Sequence, residues 1–236
     1  MATALIIGAG PNVGKACAEV FSKAGYRVAI ASRTQKLDAK YRHYTFDATK
    51  PETVPALFEK VSSDLSIPSV VIFNAYAHET TLLEGPFETD LGTIQRNLNV
   101  NTNSPYFAAN EAIKGFEKLG SEGLGPAGGT FIFTGNALNI AVLPRIMGFG
   151  MGKSASAHMI QHLALSAYSD KPYKFYYGDE RHEDGYPMTK GLNGDAHAEE
   201  YLKLAKDPEQ QAWDYTFAKG KGYINFPRQE LYSWER

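Results

Sequence analysis

Three glycines near the start of the chain, Gly8, Gly10 and Gly14, have the spacing of a turn that binds phosphate groups. They follow the apolar run 5–7, and apolar residues then recur at helical spacing, so the pattern changes from strand to helix across the glycines. Glycine lets the backbone approach a pyrophosphate closely, and the start of a helix offers unpaired N–H groups to the anion. The stretch therefore predicts a strand, a tight turn and a helix that together bind a nucleotide.

The spacing of these glycines distinguishes two kinds of phosphate-binding turn. A Gly-x-Gly-x-x-Gly turn would need glycine at position 13, where the chain has Val13. The residues instead fit Gly-x-x-x-Gly-x-Gly with Asn12 in place of the middle glycine. Asparagine tolerates a left-handed backbone better than most residues, so we expect the turn to form with it. An ordinary glycine-rich turn is the alternative, which the position directly after an N-terminal strand disfavours.

Polar residues follow the predicted second and third strands, at the edge of the sheet where a nucleotide would bind. The second strand ends in Ser32 and Arg33. An arginine at this point accommodates the 2′-phosphate of NADP, whereas enzymes that use NAD place a carboxylate there. The third strand is followed by Asp47 and Ala48, and we expect the carboxylate to meet the adenine. These residues predict NADP(H) as the cofactor, the alternative for Arg33 being a solvated surface side chain.

Periodicity predicts the elements that must position these residues. We expect residues 1–236 to form one α/β domain with a three-layer, doubly wound parallel sheet, the Rossmann fold, in strand order 3-2-1-4-5-6-7. The predicted strands are 5–7, 27–31, 42–46, 70–73, 130–134, 173–177 and 222–226, and the predicted helices after the first are 52–61, 151–168, 196–205 and 211–217.

Composition argues against several other classes of protein. The chain has 24 basic and 26 acidic residues, with a net charge of −2 and no basic cluster, so we expect no nucleic-acid partner. We find no apolar run of membrane-spanning length and no signal peptide before the first strand, which predicts a cytoplasmic protein without a membrane partner. The single cysteine, Cys17, is expected in the core, and His182 in a charged run is not expected to bind a metal.

Five motifs in a fixed order give residues 1–178 a resemblance to the short-chain dehydrogenase/reductase family. They are the glycine turn, Asp47-Ala48, Asn74-Ala75, Asn99-Val100-Asn101 and Lys153. The resemblance implies that Asn74 supports the fourth strand and the cofactor crevice, and that Asn101 is the catalytic asparagine, which holds a water in a proton relay to the lysine. It also implies a homodimer or homotetramer, and a variable segment over residues 179–206 that covers a small-molecule substrate, with 179–195 polar and mobile.

Two positions depart from the family pattern. The tyrosine that donates a proton in the family lies four residues before the lysine, where this chain has Phe149. Asn136 replaces the serine that binds the substrate carbonyl, and the interval 149 − 136 = 13 agrees with the family, so the alignment is not shifted. A phenyl ring cannot donate a proton, whereas the Asn136 amide can partly replace the serine. The resemblance implies that Lys153 keeps a second role, a bond to the nicotinamide ribose.

These comparisons define the predicted site. The expected cofactor-binding residues are Gly8, Gly10, Asn12, Val13, Gly14, Ser32, Arg33, Asp47, Ala48, Asn74, Ala75 and Lys153, and the expected catalytic positions are Asn101, Asn136, Phe149 and Lys153. Tyr76, His78 and Tyr106 are further candidates for the missing proton donor, although packing or surface exposure is the commoner role of such residues.

Three functions remain open from the sequence. The favoured one is an NADP(H)-dependent oxidoreductase that transfers hydride to a small carbonyl or imine, with the imine needing less proton donation. The alternatives are a cofactor-binding pseudoenzyme with a regulatory or scaffold role, and a cyclase or isomerase that reuses the pocket. The residues do not identify the substrate.

Overall fold

One eight-stranded sheet runs through the structure, a computed structural model that describes residues 1–79 and 85–227. The strands are β1 (Thr3–Ile7), β2 (Arg27–Ser32), β3 (Arg42–Thr45), β4 (Val70–Phe73), β5 (Gly129–Thr134), β6 (Tyr173–Glu180), β7 (Asp214–Ala218) and β8 (Gly222–Tyr223). Their order is β3-β2-β1-β4-β5-β6-β7-β8, and all neighbours are parallel except β7 and β8. The predicted order of the first six strands is confirmed.

Helices cover both faces of this sheet. They are α1 (Val13–Lys23), α2 (Val54–Asp64), α3 (Leu91–Leu98), α4 (Ser104–Leu124), α5 (Met147–His162) and α6 (Gly194–Lys206). Helices α1 and α6 pack on one face, whereas α2, α4 and α5 pack on the other. A parallel sheet that is covered on both faces has strands that are apolar throughout, which explains why β1, β4 and β5 are completely buried. The predicted three-layer, doubly wound fold is confirmed.

The prediction of a helix at 211–217 was wrong, because β7 lies there. Tyr215 and Phe217 alternate with Thr216 and Ala218 and pack against the α1 and α6 side of the sheet. Short apolar runs fit a strand or a buried helix equally well, so periodicity could not separate the two. The predicted last strand, 222–226, is the two-residue β8, which extends the sheet beyond a seventh strand at Asp214–Ala218.

The polar run after position 178 is solvated only in part: His182, Glu183 and Asp184 are exposed as predicted, whereas the three residues before them are buried. Strand β6 continues to Glu180, and Asp179, Glu180 and Arg181 are 1%, 4% and 2% exposed. Helix α6 lies in the layer beside α1, and the substrate-covering role of residues 179–206 stays a prediction. Its far end is capped by the buried Lys174, whose Nζ donates to the Leu204 carbonyl oxygen at 2.9 Å. Of the predicted lid, residues 182–193 remain as a connection outside the regular elements.

A π-helix, Asn99–Asn103, joins α3 to α4 and lies against α5. Helix α5 approaches it closely at Gly152, where a Cβ would lie only 2.6 Å from the Cβ of Asn101. The Thr102 hydroxyl also donates to the Gly152 carbonyl oxygen at 3.3 Å. The absence of a side chain at Gly152 therefore fixes the distance between α5 and the π-helix.

Replacing Gly152 by alanine should lower the melting temperature, since the new Cβ must push α5 away from Asn101. We expect a loss of roughly 1–3 kcal/mol in the free energy of unfolding, as for other overpacked cores. Gly150→Ala is the matched control, because a Cβ there meets nothing within 4 Å. Alanine in a helix interior is favoured over glycine, so this control should keep or raise the melting temperature. Equal melting temperatures for the two variants would contradict the interpretation.

The small residues of α4 do not form an exposed surface. Ala108, Ala109, Ala112 and Ile113 are buried in the core of their own chain. A homodimer or homotetramer therefore stays a prediction. Within residues 1–79 and 85–227, the structure contains no helix with the length and apolar character that crossing a membrane requires.

Candidate active site

The glycine turn lies between the carboxyl ends of β1 and β4. Gly8 has a φ of +93°, and a Cβ there would lie 2.3 Å from the backbone nitrogen of Ala75. A Cβ at Gly14 would lie 2.7 Å from the Cα of Ala9. Asn74 Nδ2 donates to the Gly8 carbonyl oxygen at 2.9 Å, so this side chain connects β4 to the turn. The two glycines and Asn74 place the turn where the strand order reverses, the usual ligand crevice of such sheets.

Asn12 does not act through a left-handed backbone as predicted. Its φ is −101°, and its Nδ2 donates to the Leu192 carbonyl oxygen at 2.8 Å. A Cβ at Gly194 would lie 2.6 Å from Asn12 Oδ1, so the start of α6 also packs on this side chain. A cleft of about 270 Å³ lies between the glycine turn and the start of α6. Asn12 thus connects the glycine turn to the segment that precedes α6.

The start of α1 fits the phosphate groups of a dinucleotide. A Cβ at Gly10 would meet nothing within 4 Å, so the backbone is open at this point of the turn. The N–H group of Lys15 donates to the Gly10 carbonyl oxygen, and that of Ala16 donates to the Asn12 carbonyl oxygen. The N–H groups of Val13 and Gly14, in the first turn of α1, precede them. Such groups have no acceptor within the helix, and no acidic residue lies in this first turn. The arrangement favours an anion.

The predicted adenosine end of the site is polar. Arg33 is exposed just after β2, and its guanidinium has no ion pair with another residue that the structure describes. Ser32 Oγ donates to the Thr34 carbonyl oxygen at 2.9 Å and lies 3.1 Å from His43 Nε2. Asp47 Oδ1 accepts the N–H of Thr49 at 3.0 Å, which shapes the turn after β3. An exposed, unpaired arginine beside a hydroxyl suits a phosphate ligand.

Lys153 is a buried cation at the carboxyl end of β5. Its side chain is 3% exposed, and Nζ donates to the Thr134 carbonyl oxygen at 2.7 Å. Nζ lies 4.3 Å from the ring centre of Phe133 and 5.3 Å from that of Phe149. Burial lowers the pKa of Lys153 to about 7, although the negative charge of Asp179 raises it. A lysine in this range can both lose and regain a proton near neutral pH.

Phe149 lies beside this ammonium in the position expected from the spacing. Its side chain is 8% exposed, and its ring centre lies 6.1 Å from that of Tyr76 and 5.3 Å from that of His78. Tyr76 and His78 are exposed after β4. Tyr106, the third candidate donor, is 59% exposed and contacts the ring of Phe107 instead.

Asn136 holds the loop after β5. Its Oδ1 accepts the N–H of Leu138 at 3.1 Å. Its backbone N–H donates to the Tyr177 hydroxyl at 3.1 Å, and that hydroxyl donates to the Asn136 carbonyl oxygen at 2.8 Å. Asn136 Nδ2 makes no hydrogen bond to any residue within 1–79 and 85–227, so it is available as a donor.

Asn101 supports the segment after β4. It makes no hydrogen bond to Lys153, which also lies in the part of the chain that the structure describes. Its Nδ2 donates to the carbonyl oxygens of Ala77 and Asn97, both at 2.9 Å. Its own carbonyl oxygen accepts the Ser156 hydroxyl at 2.5 Å. The structure therefore brings Phe149 and Lys153 together, and Asn136 follows two residues after the Thr134 carbonyl that binds Lys153. The proton relay through Asn101 stays a prediction.

Two buried residues were missed in the sequence. Asp179 and Arg181 form an ion pair of 2.6 Å at the end of β6, with both side chains 2% exposed. Burial raises the pKa of Asp179 to about 6, and the charges of Arg181 and Lys153 oppose this. A carboxylate directly after a strand was the signal used for Asp47, and the same signal could have identified Asp179.

Neither the cysteine nor a metal-binding cluster adds a second candidate site among the residues that the structure describes. Cys17 is fully buried, which raises the pKa of its thiol and confirms that it belongs to the core. In the part of the chain that the structure describes, no group of three His, Cys, Asp or Glu is arranged to hold a metal ion.

The chain is similar to known proteins over most of its length. A sequence model of the family described as enoyl-(acyl carrier protein) reductase matches residues 8–171. The short chain dehydrogenase/reductase dmxR12 of Cryptosporiopsis sp. (strain 8999) is 41% identical over an alignment of 236 positions that covers 94% of each chain.

Solved structures with low sequence identity share the fold. ElxO with NADP bound has a TM-score of 0.75 at 20% identity, over 93% of this chain and 97% of ElxO. A metagenomic short-chain oxidoreductase in complex with NADP has a TM-score of 0.77 at 14% identity, over 92% and 96%. A tyrosine-to-phenylalanine variant of ElxO with NADPH bound has a TM-score of 0.73 at 20% identity, over 92% and 97%.

Proposed function

Because this chain belongs to the short-chain dehydrogenase/reductase family, we propose that it is an NADP(H)-dependent oxidoreductase that transfers hydride to a small organic carbonyl or imine. The observation that carries the proposal is the buried Lys153 ammonium, which lies beside Phe149 where the family has its tyrosine. Burial lowers the pKa of Lys153 to about 7, and strongly shifted pKa values are common among residues that do chemistry in active sites.

The residues of the crevice fit NADP(H). The first N–H groups of α1 and the open backbone at Gly10 would hold the pyrophosphate, and Ser32 with Arg33 would hold the 2′-phosphate. Asp47-Ala48 would border the adenine, while Asn74-Ala75 and Lys153 would border the nicotinamide half. NADP or NADPH is bound in the similar proteins ElxO and the metagenomic oxidoreductase, which supports this assignment.

Lys153 takes the place of the missing tyrosine as proton donor. When bound, NADPH supplies the hydride that reduces the substrate carbon. The ammonium donates one N–H to Thr134 and keeps others for the substrate oxygen or nitrogen. A donor with a pKa of about 7 is matched to neutral pH, and such assistance is typically worth about 10²- to 10⁴-fold in rate. Asn136 Nδ2 would add a hydrogen bond to the same substrate atom.

The surroundings of Phe149 suit a substrate with an apolar part. One wall is a cluster of buried apolar side chains from the loop between β5 and α5 and from the start of α5: Ala137, Leu138, Ala141, Leu143, Ile146 and Phe149. Tyr186, from the connection before α6, packs against this cluster. The proposed substrate therefore presents its reactive group to Lys153 and its apolar part to this wall.

NADPH should bind at least tenfold more tightly than NADH, which calorimetric titration of both cofactors measures. Tenfold is only about 1.4 kcal/mol, less than a single charge-assisted hydrogen bond can supply. Arg33→Ala should abolish most of the preference by weakening NADPH binding alone. Lys23→Ala, which removes a cation from the last turn of α1, is the control and should leave the preference unchanged. Equal affinities in the unmodified protein would refute the assignment.

Turnover is tested by following NADPH absorbance with a panel of ketones, aldehydes and cyclic imines. Oxidation of NADPH by a member of the panel supports the proposed reaction. Tight NADPH binding without oxidation by any member would favour the pseudoenzyme or cyclase instead.

A further inference from the structure

Asp179 and Arg181 form a buried ion pair that the proposed reaction has not yet used. Arg181 Nη1 donates to the Gly185 carbonyl oxygen at 3.0 Å, and the Arg181 backbone N–H donates to Phe217 on β7 at 2.8 Å. Taking both charges out of water costs free energy that apolar side chains of similar size would not cost. Stability alone therefore gives little reason for the pair.

The Asp179 carboxylate lies on the same side of the sheet as Lys153. Thr134 on β5 pairs with Gly178 on β6, so Asp179 comes directly after the residue opposite the carbonyl that binds Lys153. Tyr177 belongs to the hydrophobic cluster packed against α5, and alternate residues of a strand share a face. Asp179, two positions after Tyr177, therefore faces α5 as well.

The charges of Lys153 and Asp179 shift each other's pKa. Burial lowers the pKa of Lys153, and the negative charge of Asp179 is the influence that raises it. Burial raises the pKa of Asp179, whereas Arg181 and Lys153 lower it. Three further titratable groups interact with the carboxylate. Asp214 on β7 raises the pKa of Asp179, and burial raises the pKa values of Tyr177 and Tyr201 well above their usual range. Asp179 pairs directly with Arg181 and acts on Lys153 through its charge, without an ion pair between the two.

We propose that Asp179 is a positioning residue that keeps the Lys153 ammonium charged for proton donation, and that Arg181 holds the Asp179 carboxylate in place. The inference rests on the proposed function, in which Lys153 is the proton donor. Burial favours the neutral amine, so removing the Asp179 charge would leave less of Lys153 protonated at neutral pH, and a neutral amine accepts a proton rather than donating one. The carboxylate acts through the lysine and needs no contact with substrate.

The test is an NMR titration of the protein without ligands, labelled with ¹³C at lysine Cε. The Lys153 signal is identified by its loss in Lys153→Met. Asp179→Asn should move the Lys153 midpoint to lower pH by about one unit or more, as for other ion partners. Asp179→Glu, which restores the charge, should return the midpoint toward that of the unmodified protein.

Glu180→Gln is the matched control. Glu180 is adjacent to Asp179 and 4% exposed, but it lies on the opposite face of the sheet, where it accepts the N–H of Asn193 at 2.7 Å. This variant should leave the Lys153 midpoint in place. If Glu180→Gln and Asp179→Asn shift the Lys153 midpoint equally, the shift is a general effect of removing a buried negative charge. That result would overturn the assignment.

A reciprocal measurement covers the case in which Asp179→Asn does not fold. Lys153→Met should raise the midpoint of Asp179, followed through its ¹³Cγ signal, because the lysine charge lowers this pKa. An unchanged Lys153 midpoint in folded Asp179→Asn, or an unchanged Asp179 midpoint in Lys153→Met, would overturn the proposal. Neither measurement uses turnover, so failure of the oxidoreductase assay is a separate result.

Discussion

Lys153→Met will lower kcat for reduction of a carbonyl substrate by about 10²- to 10⁴-fold, because methionine removes the only proposed proton donor. The substitution fits the site, since a side chain of similar length replaces a cation held between Phe133 and Phe149. Steady-state kinetics with NADPH and the best carbonyl of the panel measure the loss. NADPH binding should weaken much less than kcat falls, because the pyrophosphate and 2′-phosphate contacts remain.

The same variant should unfold at a higher temperature at neutral pH. The pKa of Lys153 is lower in the folded chain than its usual value of 10.5, so the unfolded chain binds more protons and stability rises with pH between about 7 and 10.5. At pH 7 the charged lysine therefore opposes folding, and methionine removes that opposition. A variant that is more stable but inactive would separate a catalytic role from a structural one. Unchanged kcat on a carbonyl would contradict the role as proton donor.

The pH dependence of reduction follows from the same group. The ammonium is the donating form, so kcat/KM should be greatest below the Lys153 pKa of about 7 and should fall as the pH rises through it. In the reverse direction the neutral amine accepts the proton, so the oxidation rate should rise over the same range. Imines that are already protonated should show a weaker dependence.

The sequence predicted the half of the site that depends on local spacing. Gly8, Gly14 and the interval between Phe149 and Lys153 are set by turn geometry and by one helical turn, so their positions follow from residues close together in the chain. The role of Asn12 does not, because its hydrogen bond partner is Leu192, 180 residues away. Only the folded chain shows that its amide rather than its backbone freedom is used.

The buried charges at the end of β6 were not predicted from the sequence. Asp179, Glu180 and Arg181 have the composition of a solvated loop, and polar residues are usually exposed. Asp179 and Arg181 pair with each other, while Glu180 accepts the N–H of Asn193 from the segment before α6. Pairing of this kind has no periodicity, so the burial of these three side chains does not follow from the hydrophobic pattern of the chain.

Restoring the family's two missing groups should create or raise carbonyl reductase activity. Phe149→Tyr places a hydroxyl on the ring beside the Lys153 ammonium, which lowers the pKa of a nearby phenol. Asn136→Ser keeps a side-chain oxygen that can accept the Leu138 N–H, since serine is also a favourable N-cap. Groups that act as a unit are not additive, so each single variant should do little and the pair should gain up to about 10²-fold on an activated ketone.

The single variants are the controls for this pair, and calorimetry must show that all three bind NADPH. If Lys153 already donates the proton, the double variant should gain most above pH 7, where the ammonium of the parent protein is depleted and a tyrosine is still protonated. A gain of equal size at all pH values would instead mean that the parent protein lacks a proton donor altogether. If the double variant binds NADPH and reduces no ketone of a varied panel, the pocket itself differs from that of a carbonyl reductase. That result would favour an imine substrate, a cyclase or a pseudoenzyme.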